Sequence, residues 1–295
     1  LNELRPTSPL QRPETARPRE EPAAQVEPPT PAELAGIQRH LAALPVAEGG
    51  SMHEDAELGV ALVRGPGDGP DVSYAAMPRW SAESWPSRLH AVAERMRDDG
   101  AWPSLLWCDR LDQPIDLPRE LEQQGWVRAL GETVLWVGHA SVVPHLDPQL
   151  RIEAVQARSL PTHELLERRI FGLGTEQAER RRAGLSAALE SGRVRAWIVW
   201  LADEPVAVAR LSQGHGVAAL QGIGVVPGRR GQGLGTLITT VATRAGLALG
   251  NRIVWLSVHE DNAAALRVYE RLGYARAFGW SRYLVTEDPR WRSAG

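Results

Sequence analysis

Apolar and polar positions along this chain fall into two periods, and the order of those periods repeats. Ser104-Leu-Leu-Trp-Cys108 is a short apolar run of the kind a buried strand makes, and Thr133-Val-Leu-Trp-Val137 is another. Between them Leu117–Gln124 has helical spacing and runs into Gly125-Trp126-Val127. The second half shows the same sequence of events: Val254-Trp-Leu-Ser-Val258, then a helical stretch from Asn262 to Leu272, then Gly273-Tyr274-Ala275, then Ser281-Arg-Tyr-Leu-Val285. Gly125 to Val137 and Gly273 to Val285 each span 12 positions. Upstream, Met77-Pro78 stands where Val226-Pro227 stands. A helix rich in Ala, Leu and Val follows each, over Trp85–Arg97 and Leu234–Leu249. A shared order of elements with little identity of letters predicts a tandem duplication.

The remaining pattern completes the second half. A strand is expected over Arg151–Val155, helices over Pro161–Phe171 and Thr175–Ser191, and strands over Val194–Leu201 and Pro205–Gln213 around the turn Ala202-Asp203-Glu204. A strand over Val217–Val226, a glycine-rich turn, the long helix, the strand Arg252–Val258, the helix from Asn262 and two closing strands follow. Hairpins beside a crossover helix predict an α/β (α+β) fold, a mixed and mostly antiparallel sheet flanked by helices, present in two tandem copies. Residues 1–31 hold eight prolines and almost no large apolar side chains. That stretch cannot build a core and is expected to be a disordered tail. A helix over Ala32–Leu44 follows, capped by Thr30-Pro31. The expected division is a tail over 1–31, one domain over 32–145 and a second over 146–295.

Composition removes several classes. Of the 295 residues 43% are hydrophobic, enough for a core, and the net charge of −3 is spread along the chain. Nothing in it suggests a nucleic-acid or anionic-membrane surface. No stretch approaches the roughly 18–20 apolar residues of a membrane helix. The polar, proline-rich start lacks a signal-peptide pattern. The single cysteine, Cys108, cannot form an intrachain disulfide. A cytoplasmic protein is expected, a monomer or homodimer, with no metal, nucleic acid or membrane among its partners.

The informative chemistry lies in Val225-Val-Pro-Gly-Arg-Arg-Gly-Gln-Gly-Leu-Gly235, between an apolar strand and an amphipathic helix. Gly231, Gly233 and Gly235 let backbone approach a ligand, and the first turn of the helix offers unpaired N–H groups to a phosphate. Arg229 and Arg230 add charge nearby. There is no Lys-Ser/Thr, so this is not a Walker loop. Nor does it open the chain as a dinucleotide fingerprint does. Instead, Arg230-Gly-Gln-Gly-Leu-Gly235 resembles the Arg/Gln-x-x-Gly-x-Gly/Ala signature of the GNAT N-acetyltransferase family. Asn262-Ala-Ala-Ala-Leu-Arg-Val-Tyr-Glu-Arg-Leu-Gly-Tyr274 resembles its second signature. The resemblance covers most of residues 151–286.

This resemblance implies an acetyltransferase that takes acetyl-CoA as acyl donor and a primary amine as acceptor. It implies that the backbone of Ile223, Gly224 and Val225 bonds the pantetheine arm. Arg230, Gly231, Gln232, Gly233, Leu234, Gly235 and Thr236 would hold the pyrophosphate. Asn262 would bond the pantetheine arm or an ordered water, and Tyr269 would act as general acid on the leaving sulfur. Asn262 is also a good helix N-cap, and Tyr269 could simply pack on its helix face. An amine of pKa about 10.4 must lose a proton before it attacks, at a cost of roughly 4–5 kcal/mol at pH 7. Family members often carry a carboxylate base for this. Here Gln221 and Ser257 occupy two common positions for it, which leaves His259, Glu260 or a chain of waters. The first half has Pro78–Trp85 without glycine where the turn should be, Pro114 for Asn262 and Leu121 for Tyr269. It therefore resembles a copy that has lost its cofactor site and serves as packing partner or acceptor-groove wall. Two other functions remain open at this point: a non-catalytic acyl-CoA sensor, and a scaffold that exposes some of the 11 tryptophans, such as Trp80, Trp85 or Trp102, to a protein partner.

Overall fold

The computed structural model describes residues 27–66, 72–143 and 147–285. The expected disordered tail lies outside these residues up to position 26. The chain begins with helix α1 (Pro31–Ala42), whose Thr30 side chain and Glu33 form a reciprocal capping box, and a short α2 (Leu44–Ala47). Strands β1 (Ser51–Asp55), β2 (Val60–Arg64) and β3 (Ser73–Ala76) follow, then α3 (Trp85–Asp98), β4 (Ser104–Cys108), α4 (Leu117–Gln123) and β5 (Trp126–Val137). The second half runs β6 (Leu150–Ala154), α5 (Leu160–Phe171), α6 (Thr175–Glu190), β7 (Val194–Leu201), β8 (Glu204–Gly214), β9 (Val217–Val225), α7 (Leu234–Ala248), β10 (Val254–His259), α8 (Ala263–Arg271) and β11 (Ala275–Val285).

Among the described residues the eleven strands join one mixed sheet in the order β1-β2-β3-β4-β11-β5-β10-β9-β8-β7-β6. Only β3 with β4 and β9 with β10 pair in parallel; every other pairing is antiparallel. Apart from the edge strand β6, which has no counterpart among the described residues, the order is palindromic when β4 is matched with β10, β5 with β11, β3 with β9, β2 with β8 and β1 with β7. A pseudo-two-fold axis thus passes between β5 and β11. Each half gives its last strand to the other: β11 pairs with β4 through Trp280–Cys108 and Leu284–Ser104, and β5 pairs with β10 through Thr133–Val258 and Val137–Val254.

Two features differ from the sequence pattern. Strand β5 starts at Trp126 rather than Thr133, and the end of the chain forms one eleven-residue strand, bulged at Arg276/Phe278, rather than two closing strands. Both follow from the exchange. A strand flanked by β4 on one side and β5 on the other has backbone partners along its whole length, so its glycine and arginines do not end it. Strands β1–β3 were also not delineated by pattern; β1 is polar on both faces, with His53, Glu54 and Asp55 in its five residues.

The core has two sides at the sheet. Leu220, Leu256, Val258, Leu135 and Val137 pack with α7 and with Tyr269 and Leu272 at α8. On the opposite face Ala219, Trp255, Val134 and Trp136 pack with Ile37 and Leu41 of α1. The N-terminal helix therefore covers strands of the second half as well as the first.

Candidate functional site

The parallel strands β9 and β10 pair only over Ala218–Leu220 and Val254–Leu256. Beyond that point they part, and no residue of β10 pairs with Gln221–Val225 among the described residues. A bulge helps to turn β9 away. Val208 faces Gly224 while Arg210 faces Gln221, so two residues of β9 oppose one of β8, and Gly222 takes a left-handed φ of 55°. A Cβ on Gly222 would lie 3.1 Å from Arg210 Nε, so both the turn and the close approach require glycine here.

After β9 the chain makes a tight turn and enters α7. Gly233, with φ 80°, is the N-cap residue and supplies no side-chain cap. The first bond of the helix runs from Leu237 N–H to Gly233 C=O. The N–H groups of Leu234, Gly235 and Thr236 precede it and find no acceptor within the helix. Side chains added at Gly231 or Gly233 would meet nothing within 4 Å, so open space lies over the turn. This cradle suits an anionic phosphate by geometry and by helix dipole. Arg230 donates from Nε to the Val225 carbonyl at 3.3 Å. Arg229, counted from sequence as extra positive charge at the turn, instead donates to Glu204 at 3.1 and 2.5 Å.

The gap between the strands opens into a cleft of about 250 Å³. Leu220, Gln221, Gly222 and Ile223 line one side, and Trp255, Ser257, Val258 and His259 the other, with Asn262 and Tyr269 at the end from α8. Asn262 caps α8 by accepting from Ala265 N–H at 3.2 Å, and it also lines the cleft. Tyr269 is 7% exposed. Burial, assisted by the charge of Glu132, pushes its phenol up to about 12. That is above the ordinary phenol value near 10.

That pairing of Tyr269 with Glu132 brings in a residue the sequence pattern missed. Glu132 belongs to β5, in the first half, and the exchange of strands carries it into this cleft. It faces His259 across the ladder, with Glu132 Oε1 at 3.6 Å from His259 Nε2. Ser257 Oγ donates to Glu132 Oε2 at 2.5 Å. Alternation along β5 and β10 sets Glu132, Ser257 and Gln221 on the Trp255 face of the sheet, whereas Tyr269 comes from the α8 face. Glu260, the other carboxylate named from sequence, is turned to Arg128, 3.1 Å from both of its oxygens, and does not line the cleft.

Gln221 is held from behind. Its side-chain amide lies 2.7 Å from Ser212 Oγ, which is 3.1 Å from His40 Nε2. Trp255 Nε1 donates to His40 Nδ1 at 3.4 Å, and an indole can only donate, so the His40 proton sits on Nε2 and points to Ser212. Burial, and His215 nearby, pull His40 down to about 4, so the ring is neutral at pH 7.

In the first half an isolated parallel bridge joins Arg79 to Gln113 after the β3–β4 pairing. Trp80 is buried and donates to the Leu58 carbonyl at 2.7 Å. Leu121 is fully buried on α4. Trp85 and Trp102 are half-buried, so none of the three tryptophans considered for a partner surface is exposed. Among the described residues no group of His, Cys, Asp or Glu could hold a metal, and no helix is long and apolar enough to cross a membrane.

Residues 160–274 match the model of the acetyltransferase (GNAT) family. This segment belongs to the GNAT family. The matched residues include the turn before α7 and helix α8 with Asn262 and Tyr269. A mycothiol acetyltransferase of Mycobacteroides abscessus is 48% identical over 61 residues, 21% of this chain and 21% of that protein. The matched segment thus spans about a fifth of the relative's length. Among solved structures, a GCN5-related N-acetyltransferase from Kribbella flavida aligns with a TM-score of 0.67 at 18% identity, over 87% of this chain and 96% of that one. A tandem GNAT protein from the clavulanic acid biosynthesis pathway aligns with a TM-score of 0.57 at 16% identity, over 76% and 77%. At these identities the two structures establish a shared GNAT fold, and the first does so across nearly the whole chain.

Proposed function

We propose that this chain is an N-acetyltransferase that moves an acetyl group from acetyl-CoA to a primary amine. The observation that carries this reading is the parting of β9 and β10 opposite the bare N-terminus of α7, with Tyr269 at the end of the gap. Backbone N–H groups over Gly231–Thr236, with Arg230 and Gln232 beside them, hold the pyrophosphate. The unpaired edge of Ile223, Gly224 and Val225 bonds the pantetheine arm, and Asn262 borders it. The thioester then lies in the gap, with α8 on its sulfur side and Gln221, Ser257 and Glu132 on the side toward the amine. Acetyl-CoA supplies the activated acyl group; the chain supplies position, hydrogen bonds and exclusion of water.

Tyr269 takes a more limited part than an acid of pKa 10 would. Full proton transfer from a phenol near 12 to a thiolate near 8.5 is uphill by about 5 kcal/mol. Tyr269 therefore stabilises the developing thiolate as a neutral hydrogen-bond donor, and its high pKa keeps it protonated throughout the working range.

Residues 32–145 act as a GNAT-like half without a cofactor site, a reading supported by the glycine-free stretch Pro78–Trp85 and by Pro114 and Leu121 where the second half has Asn262 and Tyr269. The catalytic half is 146–295, completed by β5. The relatives named mycothiol acetyltransferase match over too short a segment to lend this chain their acceptor. The test is a turnover screen with acetyl-CoA against α-amines, ε-amines, amino sugars and polyamines, read by released thiol. Amine-dependent thiol release together with an acetylated product supports the reading. Tight acetyl-CoA binding without turnover of any amine class contradicts it and indicates an acyl-CoA sensor.

A further inference from the structure

We infer that Glu132, delivered from the first half by strand exchange, is the general base that takes the proton from the acceptor amine. The inference rests on the transferase reading above and adds a residue from outside the family-matched segment, 160–274.

Placement carries the argument. The thioester has two sides in this cleft. The sulfur side belongs to Tyr269, which enters from the α8 face, so the amine approaches from the Trp255 face. On that face the cleft holds Gln221, Ser257, His259 and Glu132. Gln221 and Ser257 cannot take up a proton at neutral pH. His259 is 56% exposed, whereas the Glu132 side chain is 15% exposed. Ser257 donates to one carboxylate oxygen of Glu132, which fixes its rotamer while carboxylate lone pairs remain for an ammonium. The charged or titratable groups around it are His259 on β10 and Tyr269 on α8. The Arg128–Glu260 ion pair joins β5 to the loop after β10. No Lys or Arg lines the cleft among the described residues, and His259, 3.6 Å away, is the titratable group beside this carboxylate.

The step balances as follows. An alkylammonium gives one proton to Glu132, directly or through one water, and becomes the neutral amine. Its nitrogen lone pair forms the C–N bond to the thioester carbonyl carbon while the C–S bond breaks. The electron pair of that bond leaves with sulfur, beside the Tyr269 hydroxyl. The second nitrogen proton ends on the thiol, and Glu132 returns the first to solvent. The acceptor class this selects is a cationic primary amine, because a negative carboxylate at the acceptor end attracts the ammonium before it takes the proton.

The first half thus keeps a catalytic duty without a cofactor site of its own. It also explains why the common carboxylate positions of the second half can be Gln221 and Ser257: the carboxylate arrives on the adjacent, exchanged strand, hydrogen-bonded to one of them.

The test uses the full chain, acetyl-CoA, and glycinamide, glucosamine, spermidine and Nα-acetyllysinamide as acceptors, with thiol release followed from pH 5 to 10. Glu132→Gln is expected to lose about 10²–10⁴-fold in kcat on whichever amine turns over, with acetyl-CoA affinity unchanged. That unchanged affinity also shows that the variant folds. The Glu132→Gln rate should follow the free amine's own ionisation, and Glu132→Asp should retain turnover at a reduced rate. Retention of most of the turnover by Glu132→Gln, with an unaltered pH profile, overturns the proposal while the transferase reading stands. A raised KM with unchanged kcat overturns it as well, since Glu132 would then only bind the ammonium. Absence of turnover by the wild type on every acceptor overturns both.

Discussion

Ser257 on β10 donates a hydrogen bond to Glu132 on β5 at 2.5 Å, across 125 positions of sequence. The bond exists because each half of the chain completes the other's sheet. It joins a residue of the family-matched segment to one outside it, at the candidate cleft. The halves are therefore coupled at the cleft as well as in the core.

Tyr269→Phe should lower kcat by about 10²–10³-fold while acetyl-CoA affinity stays nearly unchanged. The hydroxyl is assigned a hydrogen bond that strengthens as charge develops on sulfur, so its removal acts on the transition state. The ring and its contact with Tyr274, 5.8 Å between centroids, remain. Steady-state kinetics beside calorimetric binding check this. Near-wild-type turnover would remove Tyr269 from the mechanism.

Arg210 should be expensive to lose. It is 4% exposed on β8, 2.9 Å from Glu48 and 3.7 Å from Glu167, behind the bulge at Gly222. Arg210→Met leaves these carboxylates without their cation, a situation that typically costs about 3–5 kcal/mol. Urea unfolding of the variant measures it. A change below 1 kcal/mol would mean that the cluster rearranges freely.

Stability should peak near pH 6.5. Burial raises Asp112 to about 7, despite hydrogen bonds from Cys108 N–H and Gln38 that favour the charged form. A raised carboxyl favours the protonated folded state, so this contribution is lost as pH rises toward 7. Burial lowers His40 and His163 to about 4, and a histidine kept neutral in the fold contributes stability above 6.5 that is lost as pH falls toward 4. Two histidines oppose one aspartate below 6.5, at about 1.4 kcal/mol per pH unit each. Melting temperatures from pH 4.5 to 8.5 test this. A midpoint that rises steadily to pH 8.5 would contradict the value for Asp112.

What was legible in the sequence was local. The turn Arg230–Gly235 and the helix from Asn262 carry their meaning in adjacent residues: the turn leads from β9 into α7, and Asn262 and Tyr269 line the cleft between β9 and β10. Strands β7, β8, β9 and β10 and helices α5, α6, α7 and α8 fall where apolar periodicity set them, within a residue or two. The repeated order of elements reappears as the palindrome of the sheet. The exchange was not legible, because pairing of β5 with β10 and of β11 with β4 is decided between distant segments. Glu132 lies one residue before the apolar run Thr133–Val137, and its alternation with Val134 and Trp136 gives its face. Its partner, Ser257, follows only from the register of β5 on β10. The first half was read from Pro78–Trp85, Pro114 and Leu121 alone, and those positions carry no information about where β5 pairs.

Calorimetric titration of the full chain with acetyl-CoA tests the central claim most directly, with Gly235→Glu as the comparison. Gly235 has no left-handed φ, and an added Cβ meets only Val225, at 3.8 Å, so the substitution places a negative charge at the phosphate cradle without backbone strain. The account predicts one site per chain in the wild type and none in Gly235→Glu. Two equivalent sites, or undiminished binding by Gly235→Glu, would contradict it.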